Sequence, residues 1–337
     1  MHTGFIQFIG TQRSGSNLLR LMLNQLPEIA APHPPHLLRT FVPIAANYAD
    51  LTERSKRVQL AAHMCELVAR NPVRWLAGVP APEALVDAAP TPDLAGLFVG
   101  LYQYYAQQQG AAWACCKSMA NIAWYQQLEA TSVAPRYIHM VRDGRDVASS
   151  FQRTIIGPKH PFAIGRKWRN EQEACLALAG QLGNRVYRIH YEALLANPEQ
   201  ELQQLCSWLG VRYHERMLHY YESQASQETA SSGRMWQNVA KPMLTQNTGN
   251  YRRRLSLEDL LLFEAQTAPT LEKLGYASVT KAADRPTVTP DMEAVFTLLD
   301  ETLRAEARTS APPADQQNRA AYNQWIEQIS QSTSNPQ

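Results

Sequence analysis

Charged residues are scarce in this chain: Asp, Glu, Lys and Arg together make up 18% of the 337 residues, and the formal net charge is only +2. So small a charged fraction beside 45% hydrophobic residues excludes an extended, disordered chain. Proteins that bind nucleic acid non-specifically are normally far more basic, so no nucleic-acid partner is expected. An anion-binding site in this chain must therefore be a local cluster of cations.

Long hydrophobic runs and paired cysteines are also missing. No apolar run reaches the roughly 18 residues of a membrane-spanning helix, and the N-terminal MHTGFIQFIG lacks the features of a signal peptide. The cysteines are odd in number and form no CxxC pair: Cys65, Cys115, Cys116, Cys175 and Cys206. We therefore predict reduced core thiols in a cytoplasmic protein without a membrane partner. The histidines show neither HxH nor HExxH spacing, so no metal site is predicted.

Short apolar runs alternate with helix-like patterns along most of the chain. Four runs have the length of buried strands: 4–10, 111–118, 136–142 and 184–191. Helical periodicity occurs at 15–26, 54–70, 93–109, 121–131, 143–153, 161–181 and 198–209. Strands joined by helices predict a three-layer α/β/α fold with a central parallel sheet. Ligands of such sheets bind beyond the carboxyl ends of the strands.

Two further stretches differ in composition from this alternation. Residues 222–250 are rich in Ser, Gln, Thr and Asn, which predicts a mobile loop. Helical patterns near 290–307 and 315–330 predict a C-terminal helical appendage. We divide the chain into a main domain over 1–279 and an appendage over 280–337, and the appendage is a candidate surface for forming a homodimer.

The stretch FIGTQRSGSNLLRLML has the pattern of a phosphate-binding loop between the first strand and the first helix. Gly10 and Gly15 have the spacing of the glycines in G-x-x-x-x-G-K-[ST], but Ser16 and Asn17 replace the Lys and Ser/Thr. Such a junction still offers backbone N–H groups to an anion, and Arg13 supplies a positive charge. The alternative is an ordinary strand-to-helix turn capped by serines.

A second motif, YIHMVRDGRDVASSFQR, joins the strand at 136–142 to the next helix. Arg142 ends the strand, and Ser150 follows eight residues later, two turns into the helix. A strand-end arginine presents a fork that fits phosphate, and the serine is placed to reach the same group. The alternative is a surface helix with an Arg145–Asp146 ion pair.

The two motifs together resemble sulfotransferases that use 3′-phosphoadenosine 5′-phosphosulfate (PAPS). The first resembles their 5′-phosphosulfate loop, [KR]-S-G-[ST]-[ST], and the second their 3′-phosphate site; the resemblance spans roughly 4–276. It implies transfer of a sulfuryl group from PAPS to a hydroxyl or amine of a small-molecule acceptor, without a metal. It implies that the donor is bound by Arg13, Ser14, Gly15, Ser16, Asn17, Arg142 and Ser150.

Two later segments are similar to cofactor-binding segments of the same family. Tyr191 begins a unit similar to the family's strand-Tyr-Glu-x-Leu, which implies an adenine contact; a core tyrosine is the alternative. The stretch GNYR at 249–252 resembles the segment that closes the cofactor site. Arg252 and Arg253 are therefore candidate donor ligands, although the pattern does not separate them from Arg254. A solvated basic helix start is the alternative.

Two cations are the candidates for stabilising the transition state. Arg13 is predicted to stabilise charge on the bridging oxygen and the leaving group. Lys117 in CCKSMAN is the second candidate, because the family often has a Lys-[ST] pair there. A strand-end lysine that points to solvent is the alternative.

Histidines near the first helix are the candidates for the general base. Met119 stands where cytosolic animal sulfotransferases have a histidine, and Pro34 stands where a second group has a glutamate. His33 and His36 flank that proline, and an imidazole has a pKa suited to proton transfer. We predict His36 as the base, with His33 as the second candidate. Loop histidines without a proton role are the alternative.

The acceptor pocket is predicted to draw on 33–50, on helices between 54 and 109, and on 222–250. Five aromatic residues either line it or belong to the core: Phe41, Tyr48, Trp75, Tyr102 and Trp236. The expected acceptor is a secondary metabolite, lipid or sugar hydroxyl. Two other functions stay open: a P-loop kinase using ATP, which would need a lysine in place of Ser16, and a catalytically inactive nucleotide-binding relative.

Overall fold

A parallel sheet forms the centre of the protein. The structure, a computed structural model, describes residues 3–48 and 50–334. Within them lie five strands: β1 Gly4–Gly10, β2 Ile29–Ala30, β3 Trp113–Cys116, β4 Arg136–Val141 and β5 Val186–His190. Their order across the sheet is β2-β3-β1-β4-β5, and every pairing is parallel. The predicted α/β fold is confirmed; β2 was missed because two residues are too short to show a period.

Helices flank the sheet and connect its strands. The described residues form fifteen α-helices: α1 Ser16–Leu23, α2 Leu37–Phe41, α3 Arg54–Ala69, α4 Pro82–Ala88, α5 Leu94–Gln108, α6 Tyr125–Glu129, α7 Gly144–Phe151, α8 Pro161–Leu182, α9 Tyr191–Ala196, α10 Pro198–Leu209, α11 Gln224–Ser231, α12 Tyr251–Arg254, α13 Leu257–Lys273, α14 Pro290–Thr309 and α15 Pro313–Ser334. None of the described helices is long and apolar enough to cross a membrane. All five cysteines are buried and free, as predicted.

Strand β1 explains why the sequence begins with an apolar run. Phe5 on one face lies edge-on to Phe98 and Tyr102 of α5, at centroid distances of 5.7 and 6.0 Å. Ile6 and Phe8 belong to a second apolar cluster, which contains residues of α1, α9 and α10. A central parallel strand is covered on both faces, so apolar side chains are favoured on both. This packing fixes the carboxyl end of β1, where the phosphate-loop motif begins.

The predicted loop at 222–250 is wrong over much of its length. It contains α11 and a 3-10 helix, Arg234–Ala240. Its polar residues act within the fold: Ser223 caps α11, and Thr229 accepts a 3.0 Å hydrogen bond from the buried Arg20 of α1. The polar residues of this stretch cap helices and form buried hydrogen bonds. Their composition is therefore the same as that of an exposed loop, although the segment is largely helical.

The two C-terminal helices exist as predicted and pack on the rest of the chain. Phe296 of α14 stacks on His160 at a centroid distance of 4.7 Å. Trp325 and Ile329 of α15 are only 4% and 5% exposed, within the same apolar cluster as α2, α3 and α5. The division of the chain at residue 280 and a homodimer through these helices stay predictions.

Candidate active site

The loop after β1 forms a tight cradle. Gly15 has φ 84°, and a Cβ there would lie 2.4 Å from the Tyr191 ring, so the close approach of that ring requires glycine. Arg13 also has a positive φ, 74°, which is uncommon for a residue with a Cβ. The Ser14 hydroxyl is buried and has no hydrogen-bond partner. A buried, unpartnered hydroxyl beside a helix N-terminus is a vacant donor for an anion.

Arg142, directly after β4, joins the two sequence motifs. Its Nη1 donates to the carbonyl oxygen of Arg13 at 3.0 Å, and its Nη2 donates to that of Asn247 at 2.9 Å. The guanidinium lies 4.5 Å from the centre of the Tyr191 ring. Its Nε is buried without a partner. Asp146 Oδ2 is 3.8 Å from Nη2, which is beyond a good hydrogen bond.

Arg13 connects the first loop to the helix of the second motif. Its Nε donates to Ser150 Oγ at 3.1 Å, and its Nη2 lies 3.5 Å from the carbonyl oxygen of Met235. Burial, followed by repulsion from Arg142 and Arg153, lowers the pKa of Arg13 to about 10. The guanidinium is still charged at neutral pH. Arg13 and Ser150, which are 137 residues apart in sequence, therefore form one polar group.

A cleft of about 170 Å³ opens beside these residues. Among its described lining residues are three cations and no carboxylate: Gln12, Arg13, Gly15, Ser16, Asn17, Leu18, His36, Lys117, Arg142, Ile156, Tyr191, Tyr220, Met235, Trp236, Asn238, Val239, Met243, Leu244 and Asn247. Asp146, 3.8 Å from Arg142 Nη2, offsets part of this charge, and the positive charge of the remaining cations favours an anionic ligand.

His36 lies in this cleft, whereas His33 does not line it. The Nδ1 atom of His36 is 3.1 Å from Ser118 Oγ. Burial, followed by the charges of Lys117 and Arg39, lowers the pKa of His36 to about 3, so its imidazole is neutral at physiological pH. His33 is 5% exposed, both its ring nitrogens lack a partner, and its ring lies edge-on to Trp236 at 5.2 Å.

The family follows from the sequence match around this site. Residues 6–215 match the model described as the sulfotransferase family. The chain belongs to the sulfotransferase family. Among its relatives, a putative protein-tyrosine sulfotransferase of Caenorhabditis briggsae is 22% identical over 303 residues, which cover 84% of this chain and 94% of the relative. Protein-tyrosine sulfotransferase 2 of Gallus gallus is 26% identical over 150 residues, 42% of this chain and 40% of the relative.

Solved structures of sulfotransferase domains also resemble the chain. One is the domain of the Synechococcus PCC 7002 olefin synthase, with 18% identity, coverage of 88% of this chain and 95% of that one, and a TM-score of 0.46. Another comes from the curacin biosynthetic pathway, with 17% identity, coverage of 88% and 97%, and a TM-score of 0.46.

Several predicted residues of this sulfotransferase lie outside the cleft. Arg252 and Arg253 are exposed: the first stacks on the Tyr251 ring at 5.2 Å, and the second donates to Asn250 Oδ1 at 3.1 Å. Their donor contacts stay predictions. Of the five aromatic residues considered for the acceptor pocket, only Trp236 lines the cleft, and four are buried in one apolar cluster: Phe41, Tyr48, Trp75 and Tyr102.

Other residues were missed by the sequence patterns. Asn247 donates from Nδ2 to the Tyr191 hydroxyl at 2.9 Å, in addition to accepting from Arg142 through its backbone. It thereby holds two candidate donor-binding side chains together. Arg153 adds positive charge, since it lowers the pKa of Arg13. Asn247 is one polar residue in a Ser- and Gln-rich stretch and gave no local signal, whereas Arg153 ends the second motif but has no counterpart in the family pattern used to interpret it.

Helix α7, which follows Arg142, is held by ion pairs and hydrogen bonds to other segments. The Arg145–Asp146 ion pair of the alternative interpretation does not form: Arg145 pairs with Asp143 at 2.7 Å and with Glu264 at 2.9 Å. The carboxylate of Asp146 instead accepts from the backbone N–H groups of Gly249, at 2.7 Å, and of Tyr251. These bonds tie the segment before α12 to α7.

Lys117 gives this sulfotransferase a pH-dependent stability. Burial, followed by the charges of Arg20 and Arg13, lowers the pKa of Lys117 to about 7, against 10.5 for an ordinary lysine. Between these values the unfolded state binds more protons than the folded state, so the free energy of unfolding rises with pH in this window. We expect Lys117→Met to flatten that rise. The free energy of unfolding, measured by urea titration at pH 7 and at pH 9, checks this prediction. An equal increase between the two pH values in the wild type and in Lys117→Met would contradict it.

Proposed function

We propose that this sulfotransferase transfers the sulfuryl group of PAPS to a hydroxyl of a small acceptor with an apolar body. The observation that carries the proposal is the polar group formed by Arg13, Arg142 and Ser150 at the cradle of Gly15. It unites the two motifs that resemble the 5′-phosphosulfate loop and the 3′-phosphate site. ATP has no 3′-phosphate, so a second cationic subsite favours PAPS over ATP.

The chain offers donors that fit an anionic ligand with two phosphate positions. Ser14 Oγ and Arg142 Nε are buried and unpartnered, and burying such groups costs free energy unless a ligand or water satisfies them. Ser16 and Asn17 lie in the first turn of α1, where backbone N–H groups are free for an anion. Tyr191 lies against the cradle and would face the adenine. When bound, PAPS supplies the activated sulfuryl group.

Charge and proton transfer are assigned to three side chains of the cleft. Arg13, and Lys117 in its protonated form, stabilise the negative charge that grows on the oxygens during transfer. His36 is the base assigned to the acceptor hydroxyl, because it lies in the cleft and its imidazole is neutral at physiological pH. A pKa of about 3 makes a weak base, so this role requires the bound anionic donor to offset the charge of Lys117 and thereby raise the pKa of His36. The low pKa of His36 and the absence of carboxylates among the described lining residues disfavour an ammonium group, so a hydroxyl acceptor fits better than an amine.

The acceptor class is inferred from the apolar wall of the cleft. This wall comes from the segment 234–247 and is mainly apolar: Met235, Trp236, Val239, Met243 and Leu244. Methionine side chains adapt to irregular apolar ligands. We infer an apolar small molecule as the acceptor. A tyrosine side chain of a peptide is the second candidate, because both curated relatives named above are called protein-tyrosine sulfotransferases.

The donor is tested by a thermal-shift titration with 3′-phosphoadenosine 5′-phosphate (PAP), beside ADP and beside ATP with Mg²⁺. At about 100 times its Kd, PAP should raise the free energy of unfolding by about 2.7 kcal/mol. We expect PAP to raise Tm strongly, and ADP or ATP with Mg²⁺ to raise it little. The Arg142→Ala substitution should abolish the rise caused by PAP. Arg54→Ala is the matched control, because Arg54 pairs with Asp87 in an exposed salt bridge.

Two outcomes would count against the proposed donor. Equal or larger stabilisation by ATP with Mg²⁺ favours the kinase, although Ser16 stands where that loop needs lysine. An undiminished PAP shift in Arg142→Ala would show that the 3′-phosphate is not bound there.

A further inference from the structure

Helix α15 begins beside the segment that forms the apolar wall of the cleft. A Cβ added to Gly233 would lie 3.3 Å from Asp315 Oδ1, so the first turn of α15 is in contact with that glycine. Gly233 directly precedes the 3-10 helix Arg234–Ala240, which brings Met235 and Trp236 into the cleft. The start of α15 thus adjoins one side of the proposed acceptor site.

The middle of α15 contacts α2, the helix that begins directly after His36. The Tyr322 hydroxyl is 2.7 Å from Thr40 Oγ1. Thr40 belongs to α2 and donates its backbone N–H to the carbonyl oxygen of His36 at 3.1 Å. Helix α2 has only five residues, and so short a helix is not stable by itself. Its position therefore depends on tertiary contacts such as this one.

The end of α15 anchors the helix to the same part of the fold. Trp325 and Ile329 are buried in the apolar cluster that also contains residues of α2. The guanidinium of Arg70 lies 5.6 Å from the Trp325 ring. The neighbouring Asn71 donates from Nδ2 to the carbonyl oxygen of His33 at 3.0 Å. The loop that contains both histidines is thus held on the side where α15 packs.

The backbone of His36 explains why the turn needs such support. His36 has φ 58° and ψ 41°, the left-handed conformation, at the N-cap of α2. A residue with a Cβ is strained there and keeps this conformation only when its surroundings determine it. Ser118 fixes the imidazole ring and Thr40 fixes the helix one turn later. Without these contacts the imidazole would take other positions in the cleft.

We propose that Tyr322 and Thr40 are positioning residues that hold His36 in place, so that proton transfer from the acceptor depends on the C-terminal helix. This inference rests on the proposed function, in which His36 is the base. No described residue of α15 lines the cleft, so the helix acts through α2 and through the segment after Gly233. The bond between Tyr322 and Thr40 joins no residue assigned to donor binding, so its removal should leave donor binding unchanged.

The test uses Tyr322→Phe, Thr40→Val and the double variant in the full chain. The imidazole signals of His36 are followed by ¹H–¹⁵N NMR and assigned with His36→Gln. PAP affinity is measured by calorimetry, and transfer from PAPS is measured with 2-naphthol as the acceptor probe. Tyr125→Phe is the matched control, because the Tyr125 hydroxyl bonds only weakly, at 3.5 Å, to the exposed Gln181 side chain.

We expect both single variants to shift the His36 signals and to lower kcat about fivefold, the effect of one hydrogen bond. The double variant should lose no more than either single variant, since one bond is removed in each case. PAP affinity should stay within about twofold in all of them, and Tyr125→Phe should match the wild type.

Unchanged His36 signals in both single variants would overturn the inference, as would a loss of PAP affinity equal to the loss of kcat. A wild-type chain that binds no PAP and makes no 2-naphthyl sulfate argues against the proposed function instead. In that case the His36 signals still decide whether Tyr322 holds the turn.

Discussion

Replacing Arg13 by methionine is expected to lower kcat for sulfuryl transfer by about 10²–10³-fold, the usual effect of removing one preorganised donor from a transition-state site. Arg13 lines the cleft, bonds Ser150, and is charged at neutral pH despite its burial. Methionine keeps much of the side-chain volume and removes the charge. The measurement is the rate of PAP formation from PAPS with 2-naphthol, together with the affinity for PAP.

The matched comparison for this prediction is Arg252→Met. Both residues are arginines that the sequence assigned to donor binding, but Arg252 is exposed and stacks on Tyr251 outside the cleft. We expect its loss to change kcat less than about twofold, within the range of a surface substitution. Equal losses of kcat in Arg13→Met and Arg252→Met would show that the arginines act through their long-range positive potential and that contact with the donor is not required. A near-normal rate in Arg13→Met would remove Arg13 from the mechanism.

Replacing His36 by glutamine is expected to lower kcat about 100-fold, at the lower end of the range for a general base. Glutamine retains hydrogen bonding to Ser118 but cannot take up a proton at neutral pH. PAP affinity should be unchanged, because no described contact joins His36 to Arg13, Arg142 or Ser150. The loss should therefore appear in kcat at saturating PAPS.

His33→Gln is the control that separates the two histidines. His33 is buried against Trp236 and does not line the cleft, so its replacement should affect packing more than proton transfer. We expect a lower Tm and a much smaller loss of kcat than in His36→Gln. If His33→Gln lost more kcat than His36→Gln, His33 would be the base. The segment that contains Trp236 would then have to move during turnover.

The backbone geometry of the proposed phosphate loop could be predicted because it depends on local residues. The left-handed backbone at Gly15, the N–H groups at the start of α1 and the charge of Arg13 depend on a few adjacent residues. The same holds for Arg142 and Ser150. Their separation by about two helical turns brings both of them to Arg13. Alternating strands and helices gave the parallel sheet for a related reason: a strand buried on both faces must be apolar throughout.

The tertiary structure decided which of several similar residues reach the cleft. The resemblance to the family favoured His36 over His33, and of the two only His36 lines the cleft. Trp236 lines the cleft and Trp75 lies in the core, although both are simply aromatic in the sequence. Which face of an element meets the ligand depends on distant packing, and no local pattern reports it.

The sequence by itself determined the family and the fold class of this protein, and it predicted the two loops that we propose to bind the donor. The tertiary structure alone decided that the polar stretch at 222–250 contains helices and lines part of the cleft, that Arg252 and Arg253 lie outside it, and that Tyr322 of α15 contacts Thr40 of α2. The physical reason is sequence distance. Contacts such as Tyr322 with Thr40, or Arg20 with Thr229, join residues more than two hundred positions apart, and their free energy depends on a geometry that only the folded chain creates.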